Sequence, residues 1–536
     1  MSLGKRMISV LVILAMALGL FYTGKLVKEQ EKQEIFDYTR TLHIWYADEN
    51  LTDYLSSVAV KYNEEYGVRV IPVLQTGLEF LENINKASLT QEATPDLYIA
   101  TNDNMEKAWL AGLTAQISDP DNIVSSNYFS ESAINAVTYQ GMLLGYPFYY
   151  ETSALLYNRT YFENLAREEI QEELEEAAKA EQEKAAREAA EEIAAEEAGE
   201  EETSAETTVE EGNTSEETMT EGNTSEEAAG TEAAEVISIP EEELIARASE
   251  RVASMIPDTF DELLEFADNY EAPENVEAVF RWDVSDIFFN YFFIGNYIDI
   301  GGACGDNIDS ISMYNLEAIQ AMKAYQDLGQ YFAIEADAVD YETVIQDFIE
   351  GKIVMTTATT DIVKKLEEAK AAGEFSYDYG IAPIPDLNEE MKTKNLSVTS
   401  TIYVNGYSQL KEEANDFATY LIRDHAKELY AMTGKVTANK QIQQENENVS
   451  AFMGEYEDSV PMPKMVTTSN LWVDMEIVFG KIWEGSEVST ELMLMSERLM
   501  TKVTREPYFE EYIEMPEESE EYYEFVDDEG QAVVEE

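Results

Sequence analysis

Cysteine is almost missing from this chain: Cys304 is the only one in 536 residues. A lone thiol excludes an intrachain disulfide, and Cys304 reads as a small buried hydrophobe. Histidine is nearly as scarce. His43 lies within an extended run and His425 follows an amphipathic helical segment, so a Ser-His-Asp arrangement has little to draw on. No phosphate loop, zinc-ligand spacing or Ca²⁺-loop signature occurs, and Glu335-Ala336-Asp337 with Asp340 reads as a solvated face. No metal and no cofactor are therefore expected.

Positive charge is the third shortage. Lys and Arg number 35 against 109 Asp and Glu, a net charge of −74, and no basic patch interrupts it. Such a surface opposes nucleic acid and anionic lipid headgroups and keeps copies apart, so a monomer with no nucleic-acid partner is expected. The acid is unevenly placed. Residues 166–236 carry 26 Glu and only four Lys or Arg, and residues 506–536 carry 14 acids and no base. Almost half the net charge thus lies outside the well-patterned sequence. With 45% hydrophobic residues overall, the remainder can bury two or more cores.

One long apolar run is present. Lys5-Arg6 precede Met7 to Thr23, the pattern of a signal peptide or signal anchor over residues 1–24. Ala15-Met16-Ala17 offers a cleavage site, but apolar residues continue through Phe21, which favours an uncleaved membrane anchor. No cysteine stands near the end of the run, so a lipid-modified terminus is excluded. The expected location is extracytoplasmic, at the cell surface or secreted, with residues 25–40 as a charged spacer.

Beyond the spacer, Thr41 to Tyr46 reads as a strand and Ala47-Asp48-Glu49-Asn50 as a polar loop. A helix follows with Leu51, Tyr54, Leu55 and Val58 at helical spacing, then a strand from Val68 to Leu74. This β-α-β unit implies a parallel sheet whose strand-to-helix loops carry ligand-binding groups. The pattern repeats with strand Leu97 to Ala100, loop Thr101-Asn102-Asp103-Asn104 and a helix through Trp109. Glu49 and Asp103 then occupy equivalent loops, where a solvated loop acid or a helix N-cap is the alternative role for each.

The stretch from Tyr139 to Asn158 turns at Gln140-Gly141 and carries Pro147, then Tyr149-Tyr150-Glu151, then a strand from Ala154 to Tyr157. Aromatics and a carboxylate are set at a junction where a chain can pass from one body to another. The alternative is a partly buried hairpin with amphipathic tyrosines. From Ala166 the composition shifts. Residues 166–200 suit an exposed helix, and residues 201–236, with EGNTSEE twice, cannot bury enough apolar surface to order. Pattern returns at Ile256 with a helix start. An aromatic-dense stretch follows from Trp282 to Tyr297, then helices Tyr314 to Gly329 and Tyr341 to Glu350. Strands at Ile353 to Thr357, Tyr379 to Pro385 and Thr401 to Val404 come next, and helices from Ser469 to about Val503 carry Trp472 and Trp483.

Seven segments, in order, resemble bacterial extracellular solute-binding proteins of the sugar-binding, maltose-binding-protein-like group. They are LHIWYADEN at 42–50, TPDLYIATND at 94–103, YQGMLLGYPFYYETSALLYN at 139–158, IPDTFDEL at 256–263, DFIEGKIVMTT at 347–357, YGIAPIP at 379–385 and SNLWVDMEIVFGKIWEG at 469–485. The resemblance implies a two-lobed α/β, periplasmic-binding-protein-like fold whose chain crosses a hinge more than once. It implies lobe I from 41–150 and 398–445, and lobe II from 151–165, 256–397 and 446–504. An acidic helical or disordered insertion at 166–255 splits a normally short connection, and 505–536 is an acidic tail.

The same resemblance implies a non-enzymatic function: capture of a sugar or oligosaccharide by lobe closure, for delivery to the permease subunits of an ABC importer. It places ligand contacts on Glu49, Asn50, Asp103, Glu151 and Trp472. Carboxylates and amides suit sugar hydroxyls, and an aromatic face suits the apolar side of a sugar ring. Ala100 and Ala358-Thr359 stand where the maltodextrin binder of the group has tryptophans, so two aromatic platforms are absent. Tyr149, Tyr150 or Trp282 are the residues that could compensate, with core packing the other role open to each. Two other functions compete: a cell-surface glycoside hydrolase, from paired carboxylates among aromatics, and the same fold holding a cation or polyamine between Glu49, Asp103 and Glu151.

Overall fold

The computed structural model describes residues 41–75, 77, 79–90, 94–203 and 239–515, with the backbone alone for 191–203 and 337. The apolar run at 7–23, the EGNTSEE repeats and most of the acidic tail lie outside the described residues. No described helix is long and apolar enough to cross a membrane.

The first β-α-β unit forms as its pattern dictates. Strands β1 (Thr41–Tyr46) and β2 (Arg69–Leu74) pair in parallel, and β3 (Leu97–Thr101) joins the other side of β1 in the same sense. The helix Thr52–Tyr66 between β1 and β2 buries Tyr54, Leu55, Val58 and Tyr62, the recurrence that a helix presents on one face. A small hairpin, β4 (Thr138–Tyr139) and β5 (Met142–Leu143), turns on Gln140 (φ 48°) and Gly141 (φ 75°), both left-handed, as a tight primed turn requires.

Strand β6 (Tyr146–Glu151) belongs to the sheet of β1, whereas β7 (Ser153–Asn158) belongs to another, with Thr152 between them. The remaining strands are β8 (Ala278–Phe280), β9 (Ile353–Thr359), β10 (Tyr379–Ala382), β11 (Leu396–Val404), β12 (Val436–Thr437) and β13 (Val460–Pro461). One sheet runs β12-β6-β11-β3-β1-β2 with β13 beside β11, and the second runs β10-β7-β9-β8. These sheets centre the two lobes of an α/β fold. In the first, β11 is antiparallel to both β3 and β6. In the second, Phe280, Trp282, Phe293, Tyr325 and Trp483 build an aromatic core, with Trp282 edge-on to Trp483 at 5.4 Å.

The crossings between sheets are tied to one another. Thr152 Oγ1 donates to Leu396 O at 2.9 Å, and Ser153 Oγ donates to Asn395 Oδ1 at 2.9 Å. Asn395 Nδ2 returns to Ser153 O at 3.1 Å and also donates to the Glu455 carboxylate. Val460 N donates to Asn395 O at 2.8 Å, and Ser459 Oγ to Ser397 Oγ at 2.6 Å. Buried polar groups are thus satisfied by partners on the neighbouring crossing.

Residues 158–257 with 377–379 form a separate compact unit. Its helix Arg159–Thr203 takes in the expected exposed helix. Order returns earlier than Ile256: a second helix, Glu241–Val252, places Ala248 against Ala166 and Ile170. Leu244, Ala248 and Val252 recur four residues apart on its inner face, a helical signal overlooked when the whole acidic block is assigned to exposed or disordered chain. Arg251 adds ion pairs to Glu169 (3.1 Å) and Glu173 (2.8 Å).

Candidate ligand site on the first lobe

The strand ends of the first sheet assemble the site. Where β1 stops, Asp48 caps a turn of 3₁₀ helix, its Oδ1 accepting from Asn50 N and Nδ2, both at 3.0 Å. Where β3 stops, the Asp103 carboxylate accepts from Thr101 Oγ1 and from Asn104 Nδ2 (3.0 Å). On β11, Ser400 stands opposite Thr101 of β3 on one side and Tyr149 of β6 on the other. A cavity of about 300 Å³ opens over these ends, lined by Asp48, Leu51, Thr101, Asn104, Tyr149 and Ser400 among others. Lys107, another lining residue, pairs with Glu82 at 2.7 Å.

Alternation along β6 separates its two tyrosines. Tyr149 shares a face with Glu151 and reaches the cavity; burial pushes its phenol up to about 12, against the hydrogen bond to Ser400 and the Lys435 charge. Tyr150 turns to the other face, fully buried and stacked on Tyr456 with centroids 3.8 Å apart and planes at 3°. The Tyr456 hydroxyl in turn bonds Thr399 Oγ1 at 2.7 Å.

A cation joins this face from the edge strand. Gly434 (φ 77°) ends the helix Ala426–Thr433 in the left-handed region, and Lys435 N donates to Thr433 Oγ1 at 2.9 Å. Because Val436 pairs with Tyr150 and Thr437 with Tyr149, Lys435 falls opposite Glu151. Its Nζ lies 2.8 Å from Glu151 Oε1, 3.2 Å from Asp48 Oδ2 and 5.5 Å from the Tyr149 ring centre. Burial works against the ammonium, but Glu151, Tyr149 and Asp48 outweigh it and raise its pKa well above the usual lysine value.

On the second lobe, Trp472 is half-buried on the helix Leu471–Trp483 and meets Tyr291 edge-on at 6.1 Å. Tyr291 is 1% exposed, and its hydroxyl has no hydrogen-bond partner among the described residues. Burial, then Asp286 and Asp283, raise the Glu476 carboxyl. Asp283 also has a structural task, accepting from Ser285 N at 2.9 Å and from Tyr341 N at 3.0 Å. Trp282 is fully buried, its indole N–H donating to Asn290 Oδ1 at 2.8 Å.

The sequence profile described as "Bacterial extracellular solute-binding protein" matches residues 57–236 and 240–454. The chain belongs to that family. Over 225 residues, 39% of its length, it is 25% identical to the maltodextrin-binding protein MdxE of Bacillus subtilis, and the match takes in 51% of that relative. In structure it is similar to an extracellular solute-binding protein of Staphylococcus aureus solved with maltose. There the TM-score is 0.62 at 17% identity, covering 88% of this chain and 98% of that one. The maltose-binding protein MalE of Listeria monocytogenes, also solved with maltose, gives 0.59 at 17% identity over 88% and 99%. At such identities the likeness carries the fold.

In this solute-binding protein the residues expected at the site divide. Glu151 enters a charged cluster with Lys435 and Asp48; Glu49 and Asn50 stand exposed beside Asp48; Asp103 is held inside its own loop next to lining residues. Of the residues expected at the site only Tyr149 lines the first-lobe cavity itself; Glu151 and Lys435 adjoin it through Asp48, Trp472 stands on the second lobe, and Tyr150 and Trp282 are packed inside their cores. Three polar residues went unnoticed in the sequence. Asp48 carried a signal, a carboxylate at a strand end two residues before the amide it caps. Ser400 and Lys435 carried none, since their meaning comes from partners 251 to 387 positions away in the chain. Among the described residues no group of three or more His, Cys, Asp or Glu is arranged to hold a metal.

Proposed function

We propose that this solute-binding protein captures a sugar or short oligosaccharide outside the cytoplasm and presents it to the permease of an ABC importer. It acts by closure of its two lobes, without bond-making chemistry. The carrying observation is the first-lobe cavity, where carboxylate, amide and hydroxyl groups converge beside the Tyr149 ring at the strand ends. Such a wall matches a ligand dense in hydroxyls. On the other lobe Trp472, backed by Tyr291, offers an aromatic ring for the apolar face of a sugar. A ligand bonded to both walls stabilises the closed form by the contacts that the open form lacks. The maltose and maltodextrin named for the relatives make glucose oligosaccharides the first ligands to try.

Calorimetry with maltose through maltotetraose tests this. Glu151→Ala and Trp472→Ala are each expected to weaken binding about tenfold or more, in line with removal of a contact that closure buries. A parent that binds, with neither substitution weakening it, rejects the site. Turnover of chromogenic glycosides would reject a purely binding role.

One observation favours a second ligand class. Burial raises the Glu476 carboxyl and Asp286 and Asp283 stand near enough to add to the rise, and an acidic wall of this kind suits a cation or polyamine. Spermidine belongs in the same titration panel for that reason.

A further inference from the structure

We infer that Lys435 sets the selectivity of this site, holding Asp48 and Glu151 as fixed acceptors and excluding cationic ligands in favour of neutral, hydroxyl-rich ones. The inference rests on the proposal that the first-lobe cavity is the ligand site.

The placement is built from the backbone outward. The left-handed turn at Gly434 and the bond from Lys435 N to Thr433 Oγ1 deliver the chain to β12 in one register. That register puts Lys435 across from Glu151, the cross-strand position at which opposite charges attract. The same register repeats the alternation that turns Tyr149 and Glu151 towards one face. The ammonium then spans two elements, Glu151 at the end of β6 and Asp48 after β1. Its side chain is 16% exposed, against 24% for Asp48 and 42% for Glu151. A cation so far removed from water is not a surface lysine that happens to lie near an acid.

Two chemical consequences follow. The first concerns acceptors. Asp48 Oδ1 is engaged by Asn50 and Oδ2 by Lys435, while Lys435 takes Glu151 Oε1. Among the described residues Glu151 Oε2 is not engaged, so it remains for a ligand, on a carboxylate whose position the lysine holds. A hydroxyl donating to an ionised oxygen makes a charge-assisted bond, stronger than a neutral one. The second concerns net charge. Asp48, Glu151 and Lys435 together carry one negative charge; without the lysine they carry two. An arriving ammonium meets Lys435 beside Asp48 and Glu151, and like charges so close, behind partly buried walls, repel. In a chain of net charge −74, whose clefts otherwise attract cations, one largely buried lysine halves the negative charge of the cluster beside the cavity and sets a positive charge against an arriving cation.

The test uses the full chain and two probes, maltotriose and spermidine, on the parent, Lys435→Met, Lys435→Gln and Lys435→Arg, with far-UV circular dichroism to establish folding. The parent is expected to ignore spermidine. Lys435→Met and Lys435→Gln are expected to bind it, with an affinity that falls at least about tenfold between low and physiological salt, as a cation in an acidic site must. Lys435→Arg, which keeps the charge, restores exclusion. Loss of a merely structural lysine would weaken binding without creating affinity for a polyamine. Spermidine binding by the parent overturns the inference, and so does its absence in a folded Met or Gln variant. The maltotriose titration of the parent decides the proposed function separately. A parent blind to sugars beside a Met variant that takes spermidine would keep the role of Lys435 and remove the sugar.

Discussion

Glu455 sits where the crossings between the sheets meet. Its carboxylate accepts from Asn395, whose amide also bonds Ser153, and Tyr456 beside it carries the stack on Tyr150. Burial pushes the Glu455 carboxyl up to about 7 from an ordinary 4.5, with Asp458 and Asp386 adding to the rise; bonds from Asn395 and the Ile384 backbone oppose it. Lys392 pairs with Asp386 at 2.8 Å and Lys394 lies 3.8 Å from Asp458, so the acids around Glu455 are themselves partly neutralised. An acid whose pKa rises on folding binds more protons folded than unfolded between those two values. Glu455 therefore favours the fold below about pH 4.5 and loses that contribution as pH rises through 7, by up to about 3 kcal/mol. Glu455→Gln removes the dependence. The stability of the variant relative to the parent, from urea unfolding at fixed pH, is expected to climb by about 2 kcal/mol between pH 5 and pH 8. A difference that stays level across that range would show that Glu455 does not titrate there.

The edge strand β12 is short, two residues, yet it decides the charge of the site through the turn before it. Gly434 adopts φ 77°, and a Cβ there would lie 2.5 Å from Lys364 Cδ. The left-handed backbone is the firmer constraint, because the Lys364 side chain can move and the helix end cannot. Gly434→Ala is expected to lower stability by about 1 to 2 kcal/mol, measured by urea unfolding, and to weaken sugar binding by shifting Lys435 from its place opposite Glu151. Unchanged binding after such a loss of stability would separate the turn from the site. The sequence sets Tyr149-Tyr150-Glu151 at a junction between extended segments, whereas β6 runs on through Pro147 to Glu151. Which face meets the cavity was not legible either, because Tyr149 and Tyr150 are the same residue type, and only the partners on either side, Ser400 and Tyr456, tell them apart.

At the scale of the whole molecule, the unit of residues 158–257 and 377–379 carries its own small core of Ala166, Ile170 and Ala248 and its own ion pairs. The sheets of the other unit take their strands from outside residues 166–255. Replacing 166–255 with a short Gly/Ser linker is expected to leave a folded protein that binds sugar within about threefold of the parent, since loop length costs little entropy. Calorimetry and a thermal melt read both outcomes, and loss of binding in a folded deletion would give residues 166–255 a part in ligand capture.

From the sequence alone followed the β-α-β opening and, through the resemblance carried by seven ordered segments, the family and its two-lobed fold. The opening depends on neighbours within a few residues, where helix spacing, strand alternation and turn chemistry act. Tertiary structure decided which groups meet. Lys435 reaches Glu151 across 284 positions of chain, and Ser400 comes between Thr101 and Tyr149 only because β11 is inserted, antiparallel, between β3 and β6. Register between distant strands is set by the packing of both faces at once, which no local pattern contains. It was that register which put a positive charge beside Glu151 and turned Tyr150 into the core.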